Sequence, residues 1–437
     1  MTLSERDLES IWHPYTQHKN MVPPIAVTRG KEALLFDENG NAYIDAISSW
    51  WVNIHGHAHP YIAQKIFEQA STLEHVIFTG FTHEPAVKLA ERLLNILPGN
   101  FSKVFYSDNG STAVEVAIKM AIQFGKNNNL SKNKIIAFKH AYHGDTFGSM
   151  SVSDRSVFTA AFNDFLFEVI FIDTPSHENI EQIKKTIASV AGETICFIYE
   201  PLLQAAGGML MYPAALLDEI LTCMKSHDII CIADEVMTGF GRTGKLFAGN
   251  HVKNKPDIIC LSKGLTGGTL AMGVTACTKK IFDAFLSDDK RKTFFHGHSF
   301  TANPVACAAA LASLDLLETA SCQNQIKHIV DRHKDFADDL HQIAGNQTTG
   351  NITIRDIRQL GTVIAFELET GDAGYLNSSS VEITRNALQN GIYLRPLGNT
   401  VYFMPPYCTR EEELDKVYAF LRNIALKKMT DQENVEM

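Results

Sequence analysis

No stretch of the 437-residue sequence approaches the roughly 20 consecutive apolar residues that a membrane-spanning helix needs. The opening MTLSERDLES sets acids where a signal peptide requires an apolar run. No CxxC pair occurs among the eight cysteines, and several of them sit inside apolar runs such as TICFIYE and DIICLSK. They are expected to be reduced core residues, which together with the missing leader points to a cytoplasmic protein. Positive charge is also short: 39 Lys and Arg stand against 49 Asp and Glu, a net charge of −10. That balance argues against a nucleic-acid or anionic-membrane binder, which needs a basic face to release counterions. A small anion held in a local pocket stays compatible with it. There is no internal repeat and no low-complexity linker.

What is present is a sequence 45% hydrophobic and 20% charged, enough apolar material for a large ordered core. Short β-branched runs alternate with amphipathic segments through the middle of the chain, the pattern of a mostly parallel sheet covered by helices. Strands are predicted at 103–106, 135–138, 169–172, 195–199, 229–233 and 258–261, with helices at 84–97, 112–125, 180–190 and 214–225. Beyond an apolar helix at 304–317 come a helix at 324–343, strands at 352–358 and 362–368, and a helix at 382–389, which read as a smaller α+β domain. The segment ALLFDENGNAYIDA near the N-terminus reads as a hairpin with Asn-Gly at its turn. The expected organisation is an N-terminal segment, 1–50, packing with the small domain, a large domain at 51–320 and a small one at 321–437.

In open α/β sheets ligands collect where strands end, and two strand ends stand out. One apolar strand closes in Asp234-Glu235 and another in Ser262-Lys263, in IICIADEVMTGFGRTGKLFAG and PDIICLSKGLTGG. A strand-end lysine among glycines suits Schiff-base formation with an aldehyde. A carboxylate one strand away suits a pyridine-ring cofactor that must keep its nitrogen protonated. A third strand, in FYSDNGSTAVEVAIKMA, runs through Asn109-Gly110-Ser111-Thr112 into a helix, and helix N-termini bind anions. A Ser merely capping its helix reads the same locally.

With these motifs the sequence resembles the class III, fold-type I pyridoxal-phosphate aminotransferases over nearly its whole length. The resemblance implies a seven-stranded-type, mostly parallel sheet covered by helices plus a smaller α+β domain, and pyridoxal 5′-phosphate held covalently by Lys263. It further implies pairing of Asp234 with the ring nitrogen, stacking of Tyr142, in KHAYHGDTFGS, on the ring, and binding of the phosphate by Gly110 and Ser111. Ser299, in HGHSFTANP, matches the position from which relatives reach the phosphate of the neighbouring subunit, so a homodimer with shared sites is expected. Glu200, ending a strand in YEPLLQAAGGM, is a secondary candidate. WHPYTQ, SSWWVNIHGH and YLRPLGNTVYFMPPY narrow the resemblance to one branch of the class. There Tyr15, Trp51, Tyr142, Asp145 and Gly297 line the substrate pocket, and Arg395 grips a substrate carboxylate with its planar fork.

Two departures bear on the substrates. Glutamate-using members carry a Glu where Ala206 stands here, which argues against a 2-oxoglutarate-linked enzyme. The Gly-Pro-Thr of the branch is Gly297-His298-Ser299. Outside this class, His55, His57 and His59 in HGHAH offer the pattern of a metal-dependent hydrolase, although the same residues read equally well as a turn before Pro60. Within it, another ω-amino-acid:keto-acid aminotransferase would share every cofactor residue.

Overall fold

The computed structural model describes residues 1–345, 353–369 and 378–426. Its centre is a seven-stranded sheet in the order Phe101–Ser107, Gly273–Thr278, Ile258–Leu261, Ile230–Asp234, Thr194–Tyr199, Lys134–Phe138, Ile170–Ile172. Neighbours from Ile258–Leu261 to Ile170–Ile172 are parallel, whereas Gly273–Thr278 is antiparallel to both of its partners. Strands buried on both faces need continuous apolar runs, and every residue of Thr194–Tyr199, Ile230–Asp234 and Ile258–Leu261 is buried. Gly110–Asn127 lays Val114, Ile118 and Phe124 into the core on one side of the sheet. Ala214–Ser226 contributes Leu217, Ile220 and Leu221 to the other core cluster.

Six of the seven strands are those predicted from the sequence. The seventh, Gly273–Thr278, opens on a glycine and is built of small residues and threonines with no period-2 alternation, so periodicity gave no sign of it. Gly273 is there because a Cβ would lie 2.2 Å from the carbonyl oxygen of Asn109. This close approach brings the strand's start beside the turn that begins helix Gly110–Asn127.

Besides a two-stranded ribbon of Leu203–Gln204 and Leu210–Met211, two smaller sheets accompany the large one. Thr353–Leu360, Val363–Glu369 and Thr400–Phe403 form an antiparallel sheet. Ile352, the expected start of its first strand, lies outside the described residues. Val27–Lys31, Leu34–Asp37 and Ala42–Asp45 form an antiparallel meander whose last strand pairs in parallel with Ile392–Tyr393. Its turn is built by the Asp37 carboxylate, which accepts from the amides of Asn39 and Asn41, with Gly40 at φ +85°. Among the described residues, no single helix is long and apolar enough to cross a membrane.

Candidate functional site

Asp234 is the last residue of its strand and lies in register with Cys260, so Ser262 and Lys263 leave the neighbouring strand at the same sheet edge. Lys263 sits at φ +47°, a left-handed conformation uncommon for a residue with a Cβ. Burial pushes its ammonium below the ordinary lysine value, while Asp234 and Glu200 pull the other way. Its Nζ stands 5.0 Å from the centre of the Trp51 ring.

The Asp234 carboxylate is held from both sides. Oδ1 accepts from the Val236 amide at 3.0 Å, and Oδ2 lies 2.7 Å from His143 Nδ1. The His143 side chain is fully buried, and among the described residues its Nε2 has no hydrogen-bond partner. With Nε2 lacking an acceptor, the network favours the tautomer in which Nδ1–H donates to the carboxylate. His143 thus keeps Asp234 an acceptor, and the sequence gave no signal of it, since the pair is 91 residues apart.

Asn109 caps helix Gly110–Asn127 by accepting from the Thr112 amide, which leaves the Gly110 and Ser111 amides outside the intrahelical ladder. A Cβ on Gly110 would lie 2.7 Å from Val236 Cγ1, so only glycine lets the turn approach the strand that ends in Asp234. Ser111 Oγ accepts from the Asp145 amide. These residues, with Tyr142, His143, Glu200 and Lys263, line one cavity of about 510 Å3.

Its outer wall is aromatic. Tyr15, Trp50, Trp51 and Phe158 line it. The Tyr15 ring meets Trp50 and Phe158 edge-on at 5.4 and 5.7 Å, and its hydroxyl donates to Asp145. Burial and the Tyr15 hydroxyl, 3.4 Å away, raise the Tyr142 phenol. Trp51 is buried and donates from Nε1 to the Tyr402 hydroxyl at 3.0 Å. Trp50 and Phe158 were missed in the sequence. Ser48, Ser49, Trp50 and Trp51 all have positive φ, 52°, 45°, 68° and 73°. Left-handed backbone costs roughly 1–2 kcal/mol per non-glycine residue, and SSWW contains no glycine to announce it.

Burial pushes the Glu200 carboxyl up to about 7, opposed by His143 and by the Tyr142 and Ala205 amides that donate to it. Arg242, also unflagged by the sequence, is buried and donates to the carbonyls of Asn53 and Pro405 at 3.2 and 2.9 Å, tying those two segments together.

Three expected residues lie outside the cavity lining. Arg395 is not among the residues lining the cavity; its guanidinium lies 5.0 Å from the centre of the ring of Trp50, which is. Gly297 and Ser299 are exposed and outside the lining altogether. His298 pairs instead with Asp108 at 3.0 Å. The three histidines of HGHAH are not gathered on one point. His55 faces the Ser313 carbonyl and His57 the Asp45 carboxylate. Among the described residues no group of three or more metal-binding side chains exists. A hydrolase metal centre on His55, His57 and His59 therefore has no geometric basis.

The donor set fits pyridoxal phosphate on the chain's own chemistry. A buried amine, a carboxylate hydrogen-bonded by a buried imidazole, and a glycine-opened helix start share one cavity. Residues 15–425 match the model of the family described as aminotransferase class-III. A curated relative from Synechococcus elongatus, adenosylmethionine-8-amino-7-oxononanoate aminotransferase, is 45% identical over 95% of this chain and 98% of its own length. A Staphylococcus aureus protein of the same name is 38% identical over 94% of each chain. The solved structure of the Methanocaldococcus jannaschii protein of that name superposes with a TM-score of 0.91 at 34% identity, covering 97% of this chain and 98% of that one. An omega transaminase from Pseudomonas jessenii, solved in complex with PMP, superposes at 0.89 with 26% identity and 98% coverage of both.

Proposed function

Because this chain belongs to the class III aminotransferases, we propose that it transfers an amino group from S-adenosyl-L-methionine to 8-amino-7-oxononanoate, giving 7,8-diaminononanoate for biotin biosynthesis. The observation that carries the reading is the single cavity joining Lys263 and Asp234 to an aromatic wall backed by Arg395. A substrate with a carboxylate far from its ketone needs this layout: a cation at a distance, apolar surface between, and a polar group beside the reacting carbon.

Pyridoxal phosphate, when bound, supplies an aldehyde that accepts the amino group and a protonated ring that draws electron density from the reacting carbon. Lys263 would hold it, and the depressed basicity of that amine suits it to taking up and returning a proton. Asp234, its carboxylate fixed by His143, would pair with the ring nitrogen. The Gly110 and Ser111 amides would hold the phosphate, and Tyr142 would cover the ring. Asp145 and Tyr15 orient the amino-ketone end. Trp50 and Trp51 exclude water from the methylene chain, and Arg395, over the face of the cavity-lining Trp50 ring, is the cation for the carboxylate at its far end.

Gly297 and Ser299 belong to this reading through a homodimer, in which each protomer's exposed 297–299 turn completes the partner's site. Residues 51–320 then supply the cofactor contacts, 1–50 supply Tyr15 and 321–437 supply Arg395. A cytoplasmic setting accords with eight free cysteines, six of them buried. Borohydride reduction of the yellow holoenzyme followed by peptide mass spectrometry tests the core of the assignment. The cofactor is expected on Lys263, and a label on any other lysine overturns it.

A further inference from the structure

The left-handed turn Ser48–Trp51 presents two tryptophans to the cavity, and such a turn persists only where its surroundings hold it. The holder is a carboxylate that does not itself line the cavity. Asp45 is 0% exposed, and both of its oxygens are saturated. Oδ1 accepts from the amides of Ile47 and Ser49 at 3.3 and 2.9 Å. Oδ2 accepts from Ser49 Oγ at 2.7 Å and stands 2.9 Å from His57 Nε2.

The surrounding hydrogen bonds fix which way each group points. Asn53 Oδ1 accepts from the Gly56 amide, so its amide nitrogen faces His57 Nδ1 at 3.1 Å. A ring that accepts there carries its proton on Nε2 and donates it to Asp45. Asp45 has four donors: two from Ser49 in the turn, one from Ile47 just before it and one from His57 in the segment that follows. Ser48 Oγ ties the turn's first residue to the Met404 carbonyl at 2.8 Å, so the turn is anchored at its start while Asp45 fixes its bend. What depends on that bend is Trp50, which stands edge-on to Tyr15 at 5.4 Å and under the Arg395 guanidinium at 5.0 Å.

We propose that Asp45 is a positioning residue for substrate specificity: its buried carboxylate holds the Ser48–Trp51 turn that sets Trp50 between Tyr15 and Arg395, and so fixes affinity for the long apolar keto substrate. The inference rests on the reading of this cavity as the keto-substrate site. Unlike Lys263 or Asp234, Asp45 touches no reacting atom, so its loss should weaken binding and spare the chemistry.

The sequence has three tryptophans, Trp12, Trp50 and Trp51, and Trp12 is far out in solvent at 89% exposure. In the holoenzyme carrying Trp12→Phe, acrylamide quenching of fluorescence reports on the turn alone. Asp45→Ala in that background should raise the quenching constant at least about twofold and KM for 8-amino-7-oxononanoate about tenfold, with kcat within about twofold. The absorbance of the Lys263-bound cofactor should not change. Adding Ser49→Gly should return both quenching and KM to within about threefold of the starting values, because glycine takes positive φ without penalty. A purely electrostatic or general folding role for Asp45 would not be rescued by that glycine. Should Asp45→Ala fail to fold, Asp45→Asn keeps the size and one acceptor and should move quenching and KM in the same direction by about threefold.

Unchanged quenching, a fall in kcat at constant KM, or failure of the glycine rescue each overturns the proposal. If the parent enzyme does not turn over 8-amino-7-oxononanoate, the substrate reading fails. Quenching and its rescue then still decide whether Asp45 holds the turn.

Discussion

Lys263 is buried beside Asp234 with its basicity depressed, and this has a consequence measurable before any turnover. The apoenzyme should take up pyridoxal phosphate at a rate whose pH midpoint lies below the ordinary lysine value of 10.5. Stopped-flow absorbance checks this, and a midpoint at the ordinary value would remove the burial argument. At Asp234 the neighbouring imidazole sharpens the expectation. In Asp234→Asn the amide nitrogen cannot face the Val236 amide, so it must turn to His143 Nδ1. That drives the His143 proton to Nε2, where no acceptor waits. A buried unsatisfied donor costs about 1–3 kcal/mol, and activity should fall by at least about tenfold to a hundredfold through proton abstraction. Turnover equal to the parent's would contradict the electron-drawing role given to the pair. Arg395→Ala should raise KM for the keto substrate about tenfold or more, while single-turnover reaction with S-adenosyl-L-methionine survives; equal loss in both half reactions would mean that the arginine serves both substrates. Lys263, Asp234 and Tyr142 were legible in the sequence because each sits in a dense local motif. His143 adjoins Tyr142, yet its partner is 91 residues away, and nothing local distinguishes it from a core histidine. Arg395 was legible as a cation but not as one over the face of Trp50.

The elements that position these groups differ in how openly they are written. Strand Thr194–Tyr199 is a continuous apolar run because both of its faces are covered, and helix Ile180–Val190 has the bounds its amphipathic period predicts. Strand Gly273–Thr278 was invisible, since close backbone approach, not side-chain pattern, dictates its first residue. The SSWW turn was invisible for the opposite reason: tertiary hydrogen bonds impose a conformation that its residues disfavour. Where close approach sets the residue, substitution is the test. Gly110→Ala would drive a methyl to within 2.7 Å of a β-branched Val236 that has little freedom at χ1. The start of helix Gly110–Asn127 must then shift, and pyridoxal phosphate should bind about tenfold or more weakly with thermal stability of the apoprotein changed far less. Equilibrium dialysis against the cofactor distinguishes this from a turn that tolerates the methyl and binds normally.

At the scale of the whole molecule, buried titratable groups set the response to acid, and they oppose one another. Burial lowers His55 and His333 to about 3 from 6.5, so the unfolded chain takes up their protons first and stability is lost as pH falls through that interval. Burial raises Glu200 and Glu235 to about 7 from 4.5, so here the folded state holds protons longer and stability is gained as pH falls from 7 toward 4.5. Between pH 6.5 and 5 each group contributes about 2 kcal/mol, with opposite signs for the two pairs. The parent protein should therefore change little in Tm from these four groups. His333→Gln should gain relative stability on acidification over that range and Glu235→Gln should lose it; parallel Tm profiles for all three proteins would refute the account of burial. Assembly can be read at the same scale. Mixing Lys263→Ala with Ser299→Ala protomers should generate hybrid dimers that each contain one intact site, whereas a fully active monomer on sedimentation would contradict the role given to the 297–299 turn. The most direct test of the whole reading is a donor-and-acceptor assay of the purified holoenzyme by mass spectrometry. With S-adenosyl-L-methionine and 8-amino-7-oxononanoate it should form 7,8-diaminononanoate, and 2-oxoglutarate should not replace the keto substrate. Robust turnover with 2-oxoglutarate and none with 8-amino-7-oxononanoate would contradict it.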